Sequence, residues 1–175
     1  MATVAINGLG RIGRATLKVL AGVDDVRIAA INDVVTVDNL AYLLRYDSVY
    51  GRYGREVAVD DNALVLDGHR IPVYACASPA ELPWRDLGVD LVFECTGVFR
   101  EEPQLAAHLA AGARYVLLSA PARTETVATV VHGTNRAGAG QRIVSCASCL
   151  LSRRRRGHMP QERMDNCYKR ELCKY

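Results

Sequence analysis

Three glycines in six residues, Gly8-Leu9-Gly10-Arg11-Ile12-Gly13, constrain this chain more than any other feature. They follow a short apolar run, Thr3–Asn7. They precede Arg11–Ala21, where Ile12, Ala15, Leu17, Val19 and Leu20 suit one buried side of a helix. A glycine turn joining a buried strand to a helix meets three separate demands. Gly8 permits the tight turn, Gly10 lets backbone approach a pyrophosphate, and Gly13 lets helix and strand pack closely. The helix N-terminus then turns free N–H groups and a positive dipole end toward phosphates. A second strand-like run, Val26–Ile31, is followed by Asp33, about 20 residues beyond the glycines. A carboxylate there accepts hydrogen bonds from adenosine ribose hydroxyls and repels a 2′-phosphate, so the pattern predicts NAD rather than NADP. The plain alternative is a glycine turn beside a solvated aspartate. The succession of strand, turn, helix, strand and acid weighs against it.

The rest of the first 150 residues continues in the same alternation. Val37–Tyr46 reads as a helix with Leu40, Leu43 and Leu44 on one side. Glu56–Val59, Ala63–Leu66 and His69–Ala75 are short strand-like runs separated by Asp-Asn and Asp-Gly, which suits hairpins. Leu91–Glu94 and Tyr115–Leu118 are apolar strands flanking an alanine-rich helix, Gln104–Ala111. Val127–Val131 and Gln141–Ser145 supply two more strands. Apolar strands without polar alternation, spaced by helices, predict an α/β fold. The expected architecture is a Rossmann-type, doubly wound, mostly parallel sheet with helices on both faces and a short hairpin insertion. Thr96-Gly97 and Ser119 each follow an apolar strand. The carboxyl ends of strands line the ligand crevice in such a sheet, so these residues are candidate cofactor contacts. Ordinary strand-ending turns explain them equally well.

The net charge of +3 conceals an asymmetry. Residues 1–150 hold 14 Lys and Arg against 16 Asp and Glu, net −2, whereas 151–175 hold 8 against 3, net +5. The acidic body gives no support for nucleic-acid binding. Arg153–Arg156 is read as a solvated run rather than a contact surface. No apolar run approaches a membrane span, and Met1 leads into a strand rather than a signal peptide. The expected setting is the cytoplasm, with reduced thiols. Six cysteines show no paired metal-ligand spacing. Cys146 and Cys149 form a C-x-x-C, which taken alone reads as a redox pair or half a zinc site, and neither reading has partners nearby. Cys149 is also a candidate nucleophile, because Ser148 could cap a helix there and a helix N-terminus lowers a thiol pKa.

A longer set of motifs occurs in a fixed order. It comprises Asn7-Gly8-Leu9-Gly10-Arg11-Ile12-Gly13-Arg14, Ile31-Asn32-Asp33, Tyr46-Asp47-Ser48, Leu82-Pro83-Trp84, Glu94-Cys95-Thr96-Gly97-Val98-Phe99, Ser119-Ala120-Pro121 and Ala147-Ser148-Cys149. From about Thr3 to Cys149 the chain resembles the amino-terminal half of a phosphorylating glyceraldehyde-3-phosphate dehydrogenase, or its sister erythrose-4-phosphate dehydrogenase. The resemblance implies NAD bound through Arg11, Ile12, Asp33 and Ser119, with Thr96-Gly97 nearby. It implies Cys149 as the nucleophile that adds to the aldehyde to give a thiohemiacetal. Hydride then passes to the nicotinamide, and phosphate releases the thioester as an acyl phosphate. Ser148 beside it is the candidate substrate contact, and the partner implied is a phosphorylated aldehyde of glycolysis-type metabolism.

Two departures accompany the resemblance. The family continues its cysteine with Thr-Thr-Asn, whereas Leu150-Leu151-Ser152 stands here. The family's second domain, which supplies the activating histidine, the phosphate-holding groups and most of the tetramer contacts, has no counterpart in these 175 residues. The expected organisation is an NAD-binding Rossmann domain over 1–149 and a basic, poorly ordered tail over 150–175. The homo-oligomer implied by the resemblance lacks its main surfaces in this sequence. The expected function is that of an oxidoreductase's NAD-binding part, catalytically incomplete alone. The alternatives are a non-catalytic NAD-binding module and an interaction protein acting through its basic tail.

Overall fold

The computed structural model describes residues 1–47, 51–131 and 134–146. β1 (Ala2–Asn7) runs through the glycine turn into α1 (Arg11–Leu20), and β2 (Val26–Asn32) runs on to α2 (Val37–Arg45). β3 (Tyr46–Asp47) and β4 (Gly51–Arg52) form a small antiparallel pair of their own. β5 (Val57–Asp60), β6 (Ala63–Leu66) and β7 (His69–Tyr74) follow as two hairpins. The second half holds β8 (Leu91–Glu94), α3 (Glu102–Ala110), β9 (Tyr115–Leu118), β10 (Ala128–Thr129) and β11 (Ile143–Ser145).

Nine strands join in the order β10-β11-β9-β8-β1-β2-β7-β6-β5. Every neighbour pair from β10 to β7 is parallel. This is the doubly wound α/β sheet expected from the sequence. The hairpin insertion is part of that sheet rather than an appendage. β7 pairs with β2 through Ile31 with Val73 and Asn32 with Tyr74, which brings β6 and β5 to the sheet edge. The Asp67-Gly68 loop has φ of +48° and +81°, the two-residue turn geometry whose twist matches its flanking strands. The chain builds outward from β1 to β2 and β7, then crosses back to place β8 on the other side of β1. The resulting switch point lies between β1 and β8, and a doubly wound sheet opens a crevice at their carboxyl ends.

Helices cover both faces. Leu17 of α1 and Leu40, Ala41 and Leu44 of α2 pack with Ile6 and Ile31 on one side. In α1 the inward positions Gly13, Leu17 and Leu20 follow the helical repeat. On the other side, α3 places Leu105 against Val116 and Leu118, while Trp84 and Leu82 pack with Ala5, Ala30 and Val92. Full burial of each such large side chain contributes about 1.5–3 kcal/mol.

α3 begins two residues before the expected Gln104. Pro103 is tolerated in a first turn, where its missing N–H needs no partner. The Gln104 side-chain oxygen accepts the Glu101 N–H at 3.1 Å, which closes the helix start. Leu117, Val130 and Val144 line an open cleft of about 720 Å³ beside β10 and β11. No helix among the described residues is long and apolar enough to cross a membrane.

Candidate functional site

The glycine turn sits at the switch point, and each glycine has its own steric reason. Gly8 has φ of +89°, and a Cβ there would lie 2.7 Å from the Thr96 nitrogen. A Cβ on Gly13 would lie 1.9 Å from the Gly8 carbonyl oxygen, so the helix can approach the turn only because hydrogen stands there. Gly10 differs. A Cβ on it would meet nothing within 4 Å, so its backbone borders open space at the N-terminus of α1. No side chain caps that end and no acidic residue stands in its first turn. Its N–H groups therefore face outward with the positive end of the helix dipole behind them.

Asp33 closes the opposite side. Its Oδ2 accepts the Leu9 N–H at 2.6 Å and its Oδ1 accepts the Val35 N–H at 3.0 Å. Each oxygen keeps a second lone pair for a hydroxyl donor. The turn and the acid are thus bonded to each other across the mouth of a cleft of about 360 Å³. Thr96 forms the third wall, and its Oγ1 accepts the Val98 N–H at 3.1 Å. Val34 and Val98, 72% and 67% exposed, stand at the mouth as bare apolar surface. An open backbone cradle, a helix N-terminus, a carboxylate with spare acceptors and apolar walls together fit a dinucleotide.

The structure brings Gly8, Gly10, Asp33 and Thr96 together around this cleft. Gly13 lies behind the turn, and Gly97 follows Thr96 with φ of +73°. Arg11 and Ile12 are exposed on the first turn of α1. Ser119 lies one strand further along, at the end of β9, and its N–H donates to the Glu94 carbonyl at 3.0 Å. Ser148 and Cys149 lie outside the described residues. Cys76, Cys95 and Cys146 are free thiols. Burial pushes the Cys95 thiol up to about 11, against the smaller opposing effect of hydrogen bonds to Ser119 and Thr16.

Sequence reasoning missed the polar chain beneath the cleft. Asn7, Glu94 and His108 are fully buried and Asn32 nearly so. Asn32 Nδ2 donates to Asn7 Oδ1 at 2.7 Å, and Asn7 Nδ2 donates to Glu94 Oε2 at 2.5 Å. His108 Nε2 meets the same Glu94 oxygen at 3.0 Å, and Trp84 Nε1 donates to His108 Nδ1 at 3.0 Å. The indole can only donate, so Nδ1 is the acceptor and Nε2 carries the hydrogen toward Glu94. The available signals were three polar residues, Asn7, Asn32 and Glu94, each ending an apolar strand. His108 gave none, because a lone histidine in an alanine-rich helix has no distinguishing spacing.

The comparisons with known proteins agree with this geometry. The family model described as glyceraldehyde 3-phosphate dehydrogenase, NAD binding domain, matches residues 2–102. The chain belongs to this family. It therefore carries the NAD-binding domain of the glyceraldehyde-3-phosphate dehydrogenase family. It is 46% identical over 156 residues to the glyceraldehyde-3-phosphate dehydrogenase of Thermotoga maritima, covering 87% of this chain and 46% of that protein. It is 43% identical over 151 residues to that of Mycoplasma pneumoniae, covering 85% and 45%. With glyceraldehyde-3-phosphate dehydrogenase 1 of Kluyveromyces lactis the identity is 45% over 153 residues, covering 87% and 46%. The chain thus spans less than half the length of these curated relatives.

Proposed function

We propose that this family member holds NAD in the cleft between the glycine turn, Asp33 and Thr96. The adenosine ribose lies on Asp33, and the pyrophosphate lies over Gly10 and the first turn of α1, beside Arg11 and Ile12. The nicotinamide end runs toward Thr96-Gly97 and Ser119. The observation that carries this reading is the hydrogen bond from the Leu9 N–H to Asp33, which joins turn and acid around one open cradle. When bound, NAD supplies the hydride acceptor. Within the family's chemistry the substrate is a phosphorylated aldehyde and the Cys149 thiol is the group that adds to its carbonyl carbon, with Ser148 beside it. The domain division that goes with this reading is a Rossmann unit over 1–149 and a basic segment over 150–175, in a cytoplasmic protein.

A second reading keeps NAD binding and drops turnover. It is favoured by Leu150-Leu151-Ser152, apolar where the resembled family has hydroxyls after its cysteine. One titration tests the shared part: NADH is added to the purified chain and energy transfer from Trp84 is followed. Saturable binding that NAD displaces, and NADP displaces poorly, is expected. Absence of saturable binding to soluble chain overturns both readings. Aldehyde- and phosphate-dependent NADH formation by the same preparation then separates them.

A further inference from the structure

We propose that Glu94 and His108 are positioning residues for the cofactor cleft: one buried carboxylate, oriented from below by His108 and Trp84, clamps the strand ends that form the cleft walls. The inference rests on the cleft assigned above. Glu94 Oε1 accepts the Thr96 N–H at 2.8 Å and the Thr96 hydroxyl, and Oε2 accepts from Asn7 and His108. Four donors converge on one carboxylate, which fills its acceptor capacity. Asn7 Nδ2 approaches His108 Nε2 to 3.4 Å, but both are donors aimed at Oε2, so this is a contact and not a bond.

The clamp extends sideways through Asn7 to Asn32. Asn32 Oδ1 accepts the Cys76 N–H at 2.9 Å, and its Nδ2 donates to the Cys76 carbonyl at 3.0 Å. The ends of β1, β2 and β8 and Cys76, two residues beyond the end of β7, are therefore tied to one group. Asn7, Asn32, Cys76 and Thr96 are all residues of the cleft wall. Thr96 is also the residue against which Gly8 packs, so its place sets the shape of the phosphate turn. Among the described residues, the buried side-chain atoms without a partner are Arg14 Nε and Tyr53 Oη, neither of which belongs to this chain of bonds. A buried polar network that is completely satisfied rigidifies its surroundings, and removing one member leaves the others unpaired.

His108 is the member to test, because it touches neither the cleft nor the proposed cofactor. Leucine at 108 preserves apolar volume and loses the donor to Glu94. Glutamine keeps an amide donor for Glu94 and an acceptor for Trp84. A positioning role through hydrogen bonds predicts that His108→Gln resembles the parent while His108→Leu does not. A packing role predicts the reverse order.

Two readouts are made on the full chain: amide hydrogen exchange at Thr96 and Cys76 without added nucleotide, and NADH affinity. The proposal expects His108→Leu to speed exchange at both amides at least tenfold and to weaken NADH at least tenfold, with His108→Gln within threefold of the parent in both. Equal behaviour of the two variants, or the reverse order, overturns it. If the parent chain fails to bind NADH, the cofactor assignment falls, and the exchange comparison still decides whether His108 positions the wall. If His108→Leu does not fold, Trp84→Phe, which removes the indole donor together with part of a fully buried ring, is read in its place. Unchanged exchange at Thr96 and Cys76 in that variant then counts against the proposal.

Discussion

Gly10→Ala and Gly13→Ala make the same chemical change three residues apart, and the structure predicts opposite consequences. At Gly13 the added Cβ would stand 1.9 Å from the Gly8 carbonyl oxygen, and reaching even 3.0 Å requires helix and turn to separate by about 1 Å. Both sides of that contact are backbone, so no side-chain rotation relieves it. Overpacking of this kind costs about 1–3 kcal/mol, and the upper end applies here. For a chain of this size that lowers the unfolding temperature by roughly 6–12 °C. At Gly10 the φ is −66° and nothing lies within 4 Å of the new methyl group. The expected cost is that of a poorer helix cap, about 0.5–1 kcal/mol. The methyl group does, however, occupy the space where backbone is expected to meet pyrophosphate, so NADH affinity should fall at least tenfold, or about 1.4 kcal/mol. Thermal unfolding followed by circular dichroism and NADH titration, run on both variants, check the pair. Gly10→Ala binding as tightly as the parent would refute the phosphate assignment. Gly13→Ala melting with the parent would refute the steric argument.

Three further outcomes are expected. Asp33→Ala removes the acceptor for the Leu9 and Val35 N–H groups and, in the proposed binding mode, for the ribose, so NADH affinity should drop about tenfold and stability by about 1–2 kcal/mol; unchanged NADH affinity in a titration rejects the ribose contact. Cys95, held near 11, should react with a thiol reagent at pH 8 far more slowly than a thiol with the ordinary value of 9.0, and parity between native and urea-unfolded chain would contradict this. Because burial raises that thiol in the folded state, its stabilising contribution is complete below pH 9 and is lost as pH rises toward 11; Cys95→Ala should flatten the urea-denaturation midpoint across that window.

The legible part of the fold was the part governed by local pattern. Leu91–Glu94 and Tyr115–Leu118 were bounded to the residue, because an apolar run between turn residues can be little else in a parallel sheet. α3 begins two residues ahead of the alanine-rich run that marks it in the sequence, because a first turn tolerates Pro103 and the Gln104 cap is a detail of the folded chain. The joining of β7 to β2 was not legible at all. It depends on two residue pairs between segments about 40 residues apart, and no local spacing encodes them.

The candidate site divides along the same line. The glycine turn and Asp33 are written in the sequence, because close backbone approach and ribose recognition restrict residue type at fixed offsets. That is enough to determine the fold class and the nicotinamide cofactor. Only the tertiary structure decided that Asn7, Asn32, Glu94, His108 and Trp84 form one chain of bonds. Those residues come from three strands, a helix and a loop, and a hydrogen-bond network is defined by distance and donor direction rather than by spacing. A buried histidine looks like any other until its neighbours fix which nitrogen holds the hydrogen, and those neighbours meet only when the sheet has closed over them.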